Sequence, residues 1–184
     1  MGASRDRRRS VFEALALPCA GAVHRFARRL TRDREAANDL VQEAYLRAYR
    51  SFDAFREGSN FRAWILAIEY STFINQRRKE NRAPAQVKLS EAEASQLADV
   101  GWEAPRDVWT AARLEDALGA LPDELQAVVG LVLVEELTYE EAAAVLECPV
   151  GTVRSRLFRG RRALFDRLRE SAAATGLLNG ARKA

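Results

Sequence analysis

The chain is short of the residues that metal and nucleophile chemistry need. Its 184 residues include two cysteines and one histidine. Cys19, Cys148 and His24 lie too far apart in sequence for ligand spacing, so neither a metal site nor a Cys–His couple is expected, and no cofactor is implied. Two isolated thiols fit a reducing cytoplasm better than a disulfide framework. Glycine and proline are sparse, at ten and five, and β-branched runs are rare. That leaves an all-α composition, rich in alanine, leucine, arginine and glutamate. No segment approaches the ~18 consecutive apolar residues of a membrane span, so no membrane insertion is expected. The N-terminal "RDRRRSVFEALALPCAGA" imitates a secretory leader, but Glu13 interrupts its apolar run. Val11, Leu15, Val23, Phe26, Ala27 and Leu30 fit amphipathic helices instead.

The 48% hydrophobic content supports real cores. The formal charge of +3 hides a segregated pattern. Residues 1–82 hold 17 basic and 10 acidic side chains, residues 83–147 hold 3 and 14, and residues 148–184 hold 9 and 2. Two basic blocks around an acidic one predict two polyanion-facing surfaces.

The first helical block spans 10–82. Within it, Ala37, Leu40, Val41, Ala44, Tyr45 and Ala48 recur at helical spacing and predict a helix over 34–51 with Asp33 as N-cap. Asp39, Gln42, Glu43, Leu46 and Arg47 fall on its other face. "DAFREGSN" (53–60) is a polar loop. A second helix follows, with Phe61, Trp64, Ile65, Ile68 and Thr72 on one stripe and "NQRRKENR" at its basic end. Phe61, Trp64, Tyr70 and Phe73 interleave with Arg62, Arg77, Arg78, Lys79 and Arg82. Aromatics beside cations suit unpaired bases, and Phe61 and Trp64 equally suit a core. From 83 to 110 the periodicity fades into an acidic, alanine-rich linker.

The second block, 111–171, opens on Leu114, Leu118 and Leu121, and an apolar helix follows Pro122. Thr138 and Glu141 have capping-box spacing ahead of the short helix "YEEAAAVLE". "CPVG" breaks the chain, and a longer arginine-rich helix follows, which completes a helix-turn-helix. At 100° per residue, Val153, Leu157, Gly160, Leu164 and Leu168 form one buried stripe. Arg154, Ser155, Phe158, Arg159 and Arg162 lie opposite, with Arg156 and Arg161 on the flanks. Seven arginines occur between 154 and 169, with Asp166 the only acid. A solvated helix would mix signs for i, i+4 pairing; this one has the charge and the aromatic of a groove-reading face.

Those motifs resemble the extracytoplasmic-function sigma factors, the smallest members of the sigma-70 family. "DREAANDLVQEAYLRAYRSFDAF", "FRAWILAI" and "YSTFINQRRK" are similar to the family's second conserved region. "LPDELQAVVGLVLVEELTYEEAAAVLECPVGTVRSRLFRGRRAL" is similar to its fourth. The resemblance implies a dissociable promoter-specificity subunit of bacterial RNA polymerase, built as two small helical domains on a flexible acidic linker. Asp39, Gln42, Glu43 and Arg47 would dock on the β′ clamp helices, and the 122–134 region on the β flap. Asn60 in the loop, with Ser71, Asn75 and Arg78, would open the −10 element and hold a flipped base. Thr152, Arg154, Ser155, Arg156, Phe158, Arg159 and Arg161 would read the −35 element. The implied partners are core polymerase, promoter DNA and an anti-sigma factor. Ser71 stands where many relatives carry asparagine, beside an unusual Glu69-Tyr70 pair, and a serine has the shorter reach.

Two other classes remain for comparison. A stand-alone helix-turn-helix regulator would need a ligand or dimerisation domain where this chain has a second basic, aromatic block. A nucleic-acid hydrolase would need clustered carboxylates or His/Cys ligands, and the acids here fall on solvated faces or in the linker.

Overall fold

The structure, a computed structural model, describes residues 2–80 and 111–174. The predicted linker, 83–110, and the tail beyond 174 lie outside the described residues. Among the described residues the regular elements are helices: α1 Gly2–Ala16, α2 Ala20–Thr31, α3 Arg34–Arg50, α4 Phe61–Glu80, α5 Ala111–Gly119, α6 Asp123–Val129, α7 Tyr139–Leu146 and α8 Val150–Ala174.

In the first block, α2, α3 and α4 pack around Val23, Phe26, Leu40, Ala44, Ile65 and Leu66, all buried. Asp33 caps α3 as expected, its Oδ1 accepting from the Ala36 amide at 2.8 Å. Arg32, at φ 57°, turns the chain between α2 and α3. The predicted N-terminal stripe needs correcting. Val11 is exposed, whereas Phe12, Ala16 and Cys19 are buried and Leu15 is half-buried. A tight turn at Leu17–Cys19, with Pro18 inside it, separates α1 from α2 but keeps the phase. At 100° per residue Phe12, Ala16, Cys19, Val23, Phe26 and Ala27 share one sector of about 100°, and Val11 falls outside it.

On α4, Phe61, Ile65 and Thr72 are buried as predicted, and Trp64 and Ile68 are half-buried. Leu66, Glu69 and Phe73 also go inside, because α4 is covered by α2, α3 and α7 together. Phe12, Phe52, Phe55, Phe61 and Trp64 form an aromatic floor beneath the 51–60 loop, with ring centroids 5.2 to 6.4 Å apart.

In the second block the apolar helix after Pro122 forms and then widens into a π turn over Gly130–Val134. Thr138 and Glu141 make the reciprocal capping box. Glu147, at φ 50°, ends α7, and Pro149 accepts from the amides of Thr152 and Val153 as α8 begins. Val153, Leu157, Gly160, Leu164 and Leu168 are all buried. Gly160 permits the close crossing of α6: a Cβ there would stand 2.5 Å from Val129 Cγ2.

The two blocks lie against each other, α6 on α2 and α7 on α4. Glu135 is fully buried at this seam. Arg25 holds both its oxygens, at 3.1 and 2.7 Å, and Arg29 adds a third contact at 3.2 Å. Arg62 donates to the Glu135 carbonyl at 3.1 Å. Asp123 bridges Arg32 and Arg77 at 2.9 and 2.8 Å. The segregated charge read from the sequence is thus partly discharged within the molecule: first-block cations meet second-block acids.

Candidate nucleic-acid interface

The first turns of α8 form an exposed cationic surface. Arg154, Arg159 and Arg162 point to solvent, and Thr152, Ser155, Phe158 and Arg161 are half-buried beside them. Two local contacts restrain this face. The Arg154 guanidinium lies 5.8 Å from the Tyr139 ring centroid, and the Ser155 hydroxyl donates to the Thr152 carbonyl at 3.1 Å. Arg159 Nε reaches the Ser155 carbonyl only loosely, at 3.4 Å, which leaves its head free to reach outward. Arg156 is placed differently. Its side chain is 14% exposed and pairs with Glu124 on α6 at 3.2 Å. It also lies close enough to Tyr70 of α4 to oppose the burial that raises that phenol's pKa. The structure therefore sets Arg156 apart from the other six predicted −35 residues, as a tie between the recognition helix and its support.

On α4 the predicted −10 residues share a sector. At 100° per residue, Asn60, Ser71, Asn75 and Arg78 fall within about 60° of one another. Asn75 and Arg78 are exposed. Ser71 is half-buried, and its hydroxyl back-bonds to the Ile68 carbonyl at 3.2 Å. Asn60 has two tasks. Its Oδ1 accepts from the Arg62 and Ala63 amides at 3.0 and 3.3 Å, which makes it the N-cap of α4. Its Nδ2 donates to Glu141 of the capping box at 2.7 Å. A residue predicted to face DNA is thus held by the other block. Burial pushes the Glu141 carboxyl up, but the Thr138 amide first, then Asn60, the Thr138 hydroxyl and Arg62, hold it below the usual carboxylate range.

The outer face of α3 is unobstructed by the fold. Asp39 and Gln42 are exposed, and Glu43 and Arg47 pair with each other at 2.7 Å. The Arg47 hydrogen bond holds the Glu43 carboxyl low. Leu46 stands among them at 52% exposure, an apolar centre inside a polar ring.

Sequence reasoning missed Glu135 and Arg8, and noted Glu69 only as half of an unusual pair beside Ser71. "VEEL" reads as ordinary helix-end acids, and no periodicity singles out Arg8 among its arginine neighbours. Cys19 and Cys148 have pKa values raised by burial and opposed by Arg62 and Arg156 respectively, the profile of inert thiols. Among the described residues, no group of three or more His, Cys, Asp or Glu is placed to hold a metal ion. Within the same residues no helix is long and apolar enough to cross a membrane.

Comparison with known proteins assigns both blocks to one family. Residues 15–83 match the family model for sigma-70 region 2, and residues 111–164 that for sigma-70 region 4. The chain is 34% identical over 139 residues to the ECF RNA polymerase sigma-E factor of Haemophilus influenzae, an alignment covering 71% of this chain and 73% of that protein. The Escherichia coli K12 sigma-E factor is likewise 34% identical over 138 residues, covering 71% and 72%. Among solved structures, the sigma factor RpoE of Bartonella quintana, in complex with the anti-sigma factor NepR, superposes with a TM-score of 0.67. It is 29% identical, with 86% of this chain and 96% of that one covered.

Proposed function

The chain belongs to the extracytoplasmic-function sigma factors of the sigma-70 family and is an alternative sigma factor directing promoter-specific transcription, and we propose that it reads two promoter elements with two separate faces. Residues 10–82 serve core polymerase and the −10 element, 83–110 link, and 111–171 serve the −35 element. Arg154, Ser155, Phe158 and Arg159, flanked by Thr152 and Arg161, enter the major groove of the −35 duplex. Arg156 anchors that helix to α6. Asn60, Ser71, Asn75 and Arg78 take the unpaired −10 strand. The α3 face of Asp39, Gln42, Glu43 and Arg47, with Leu46 at its centre, docks on the β′ clamp helices, and the 122–134 region meets the β flap. The protein acts in the cytoplasm and contributes no chemistry of its own; polymerase makes every bond. An anti-sigma factor restrains it, as the solved relative's complex suggests by analogy.

The observation that carries this reading is the division of α8. One stripe is wholly buried against α5, α6 and α7, and the opposite side presents exposed arginines with an aromatic among them. Fold maintenance uses the first and leaves the second available to DNA. The seam adds a condition: the Asn60 side-chain amide must leave Glu141 before it can serve the −10 strand. Arg159→Ala provides the test. Loss of a base-edge contact costs about 1–3 kcal/mol against the preferred base. The expected outcome is relaxed −35 preference in run-off transcription with core polymerase, with the −10 preference intact. A uniform loss on all −35 sequences would assign Arg159 to phosphate only.

A further inference from the structure

α1 packs against the point where the 51–60 loop leaves α3, and one side chain makes that junction. The last carbonyls of a helix have no intrahelical donor, and the helix dipole makes that end negative. At the end of α3, the Ser51 amide and hydroxyl satisfy the Arg47 carbonyl. The next orphans are met from another helix. Arg8 Nη2 donates to the Tyr49 carbonyl at 2.8 Å and approaches the Arg50 carbonyl at 3.5 Å. The same guanidinium lies 5.0 Å from the Tyr49 ring centroid, and its Nε stands 3.1 Å from Asp53 Oδ1, inside the loop itself. One turn further along α1, Phe12 enters the aromatic floor, edge-on to Tyr49 and Phe52 at 5.2 Å. Arg8 is about one-third exposed and its Tyr49 contact is partly shielded from water, whereas Asp53 is exposed.

A planar five-donor fork suits this task better than an ammonium, because it can serve a carbonyl, a carboxylate and a ring face together. We infer that Arg8 is a positioning residue for −10 recognition: it fixes the exit of the 51–60 loop from α3, and through it the place of Asn60 at the start of α4. It touches no DNA. The inference rests on the −10 reading of that loop given above. Ser59, whose hydroxyl closes a turn onto the Arg56 carbonyl at 2.6 Å, and Gly58, at φ 84°, shape the loop tip, while Arg8 holds its base. Neighbouring basic residues do not duplicate it. Arg7 is exposed, and Arg9 is spent on Glu13 one turn along, at 2.7 Å.

The test uses holoenzyme rebuilt from core polymerase and full-length chain, with a promoter fragment that the wild-type holoenzyme opens. The fragment carries 2-aminopurine in the −10 non-template strand, whose fluorescence rises on unstacking. Arg8→Ala is expected to slow opening about tenfold, the equivalent of one charge-assisted hydrogen bond. It should also flatten the −10 base preference while core affinity holds and the melting temperature falls by no more than a few degrees. Arg8→Lys, which keeps the charge without the fork, should recover only part of the rate. Wild-type opening by Arg8→Ala would overturn the inference. So would a parallel fall in opening, core affinity and melting temperature, which marks a merely structural role. Asn60→Ala separates the two levels: normal opening by both variants sinks the −10 reading, and normal opening by Arg8→Ala alone sinks only this inference.

Discussion

Glu135→Ala is expected to part the two blocks. The carboxylate is fully buried and accepts from Arg25 and Arg29, the latter only 12% exposed. Removing one partner of a buried pair costs about 3–5 kcal/mol, chiefly because the remaining charge stays desolvated and unpaired. Arg29 cannot simply swing to solvent, since its stem lies against Gly130 at the π turn. The less costly response is for the seam to open and hydrate both arginines. Small-angle scattering of the free chain should show a larger radius for Glu135→Ala, with helical content kept. Asp123→Asn, on the half-exposed Arg32 and Arg77 bridge, should do far less, because exposed pairs contribute about 0–1 kcal/mol. An unchanged radius in Glu135→Ala would mean that apolar packing alone holds the blocks together.

Glu69→Gln has the second large effect, and its sign is opposite to that of an ordinary carboxylate. Glu69 is fully buried, and neither of its side-chain oxygens has a hydrogen-bond partner. Burial first, and the Glu135 charge second, hold its pKa well above the usual range. The folded chain therefore keeps a proton that the unfolded chain gives up. Stability is complete below the ordinary glutamate pKa and declines as pH rises above it, until the raised folded-state pKa is passed. Tyr45 is the other titrating neighbour, its phenol pushed by burial up to about 12, so it stays neutral across that window. Glutamine keeps the shape and cannot ionise. Thermal melts should show wild type losing stability from pH 5 to pH 8 and Glu69→Gln losing much less. The two chains should melt alike at about pH 4, with the variant higher by several degrees at pH 8, at roughly 2–4 °C per kcal/mol for a chain of this size. Parallel pH profiles would mean that Glu69 reaches water or an unseen partner.

What could be read in advance follows from which forces are local. Capping and helical periodicity are local, and so Asp33, the Thr138–Glu141 box and the buried stripe of α8 were all legible. The N-terminal stripe was misread by one position, Val11 for Phe12, because both are apolar and both stand at helical spacing from Leu15. The seam was illegible for a different reason. Arg25 and Glu135 are 110 residues apart, and no spacing rule links them. The same applies to the site: the outward face of α8 was visible on a wheel, yet the capture of Arg156 by Glu124 depends on how α6 crosses it. Asn60 reads as a loop residue in sequence, and only the packed structure shows it shared between a helix cap and the other block.

The central claim is that one chain reads two promoter elements for polymerase. Run-off transcription from a template pool randomised upstream of the start, with core polymerase and this chain, tests it most directly. The account predicts transcripts enriched in two short elements at one fixed spacing, absent with core polymerase alone. Transcripts with no shared element, or with an upstream element and no −10 preference, would contradict it.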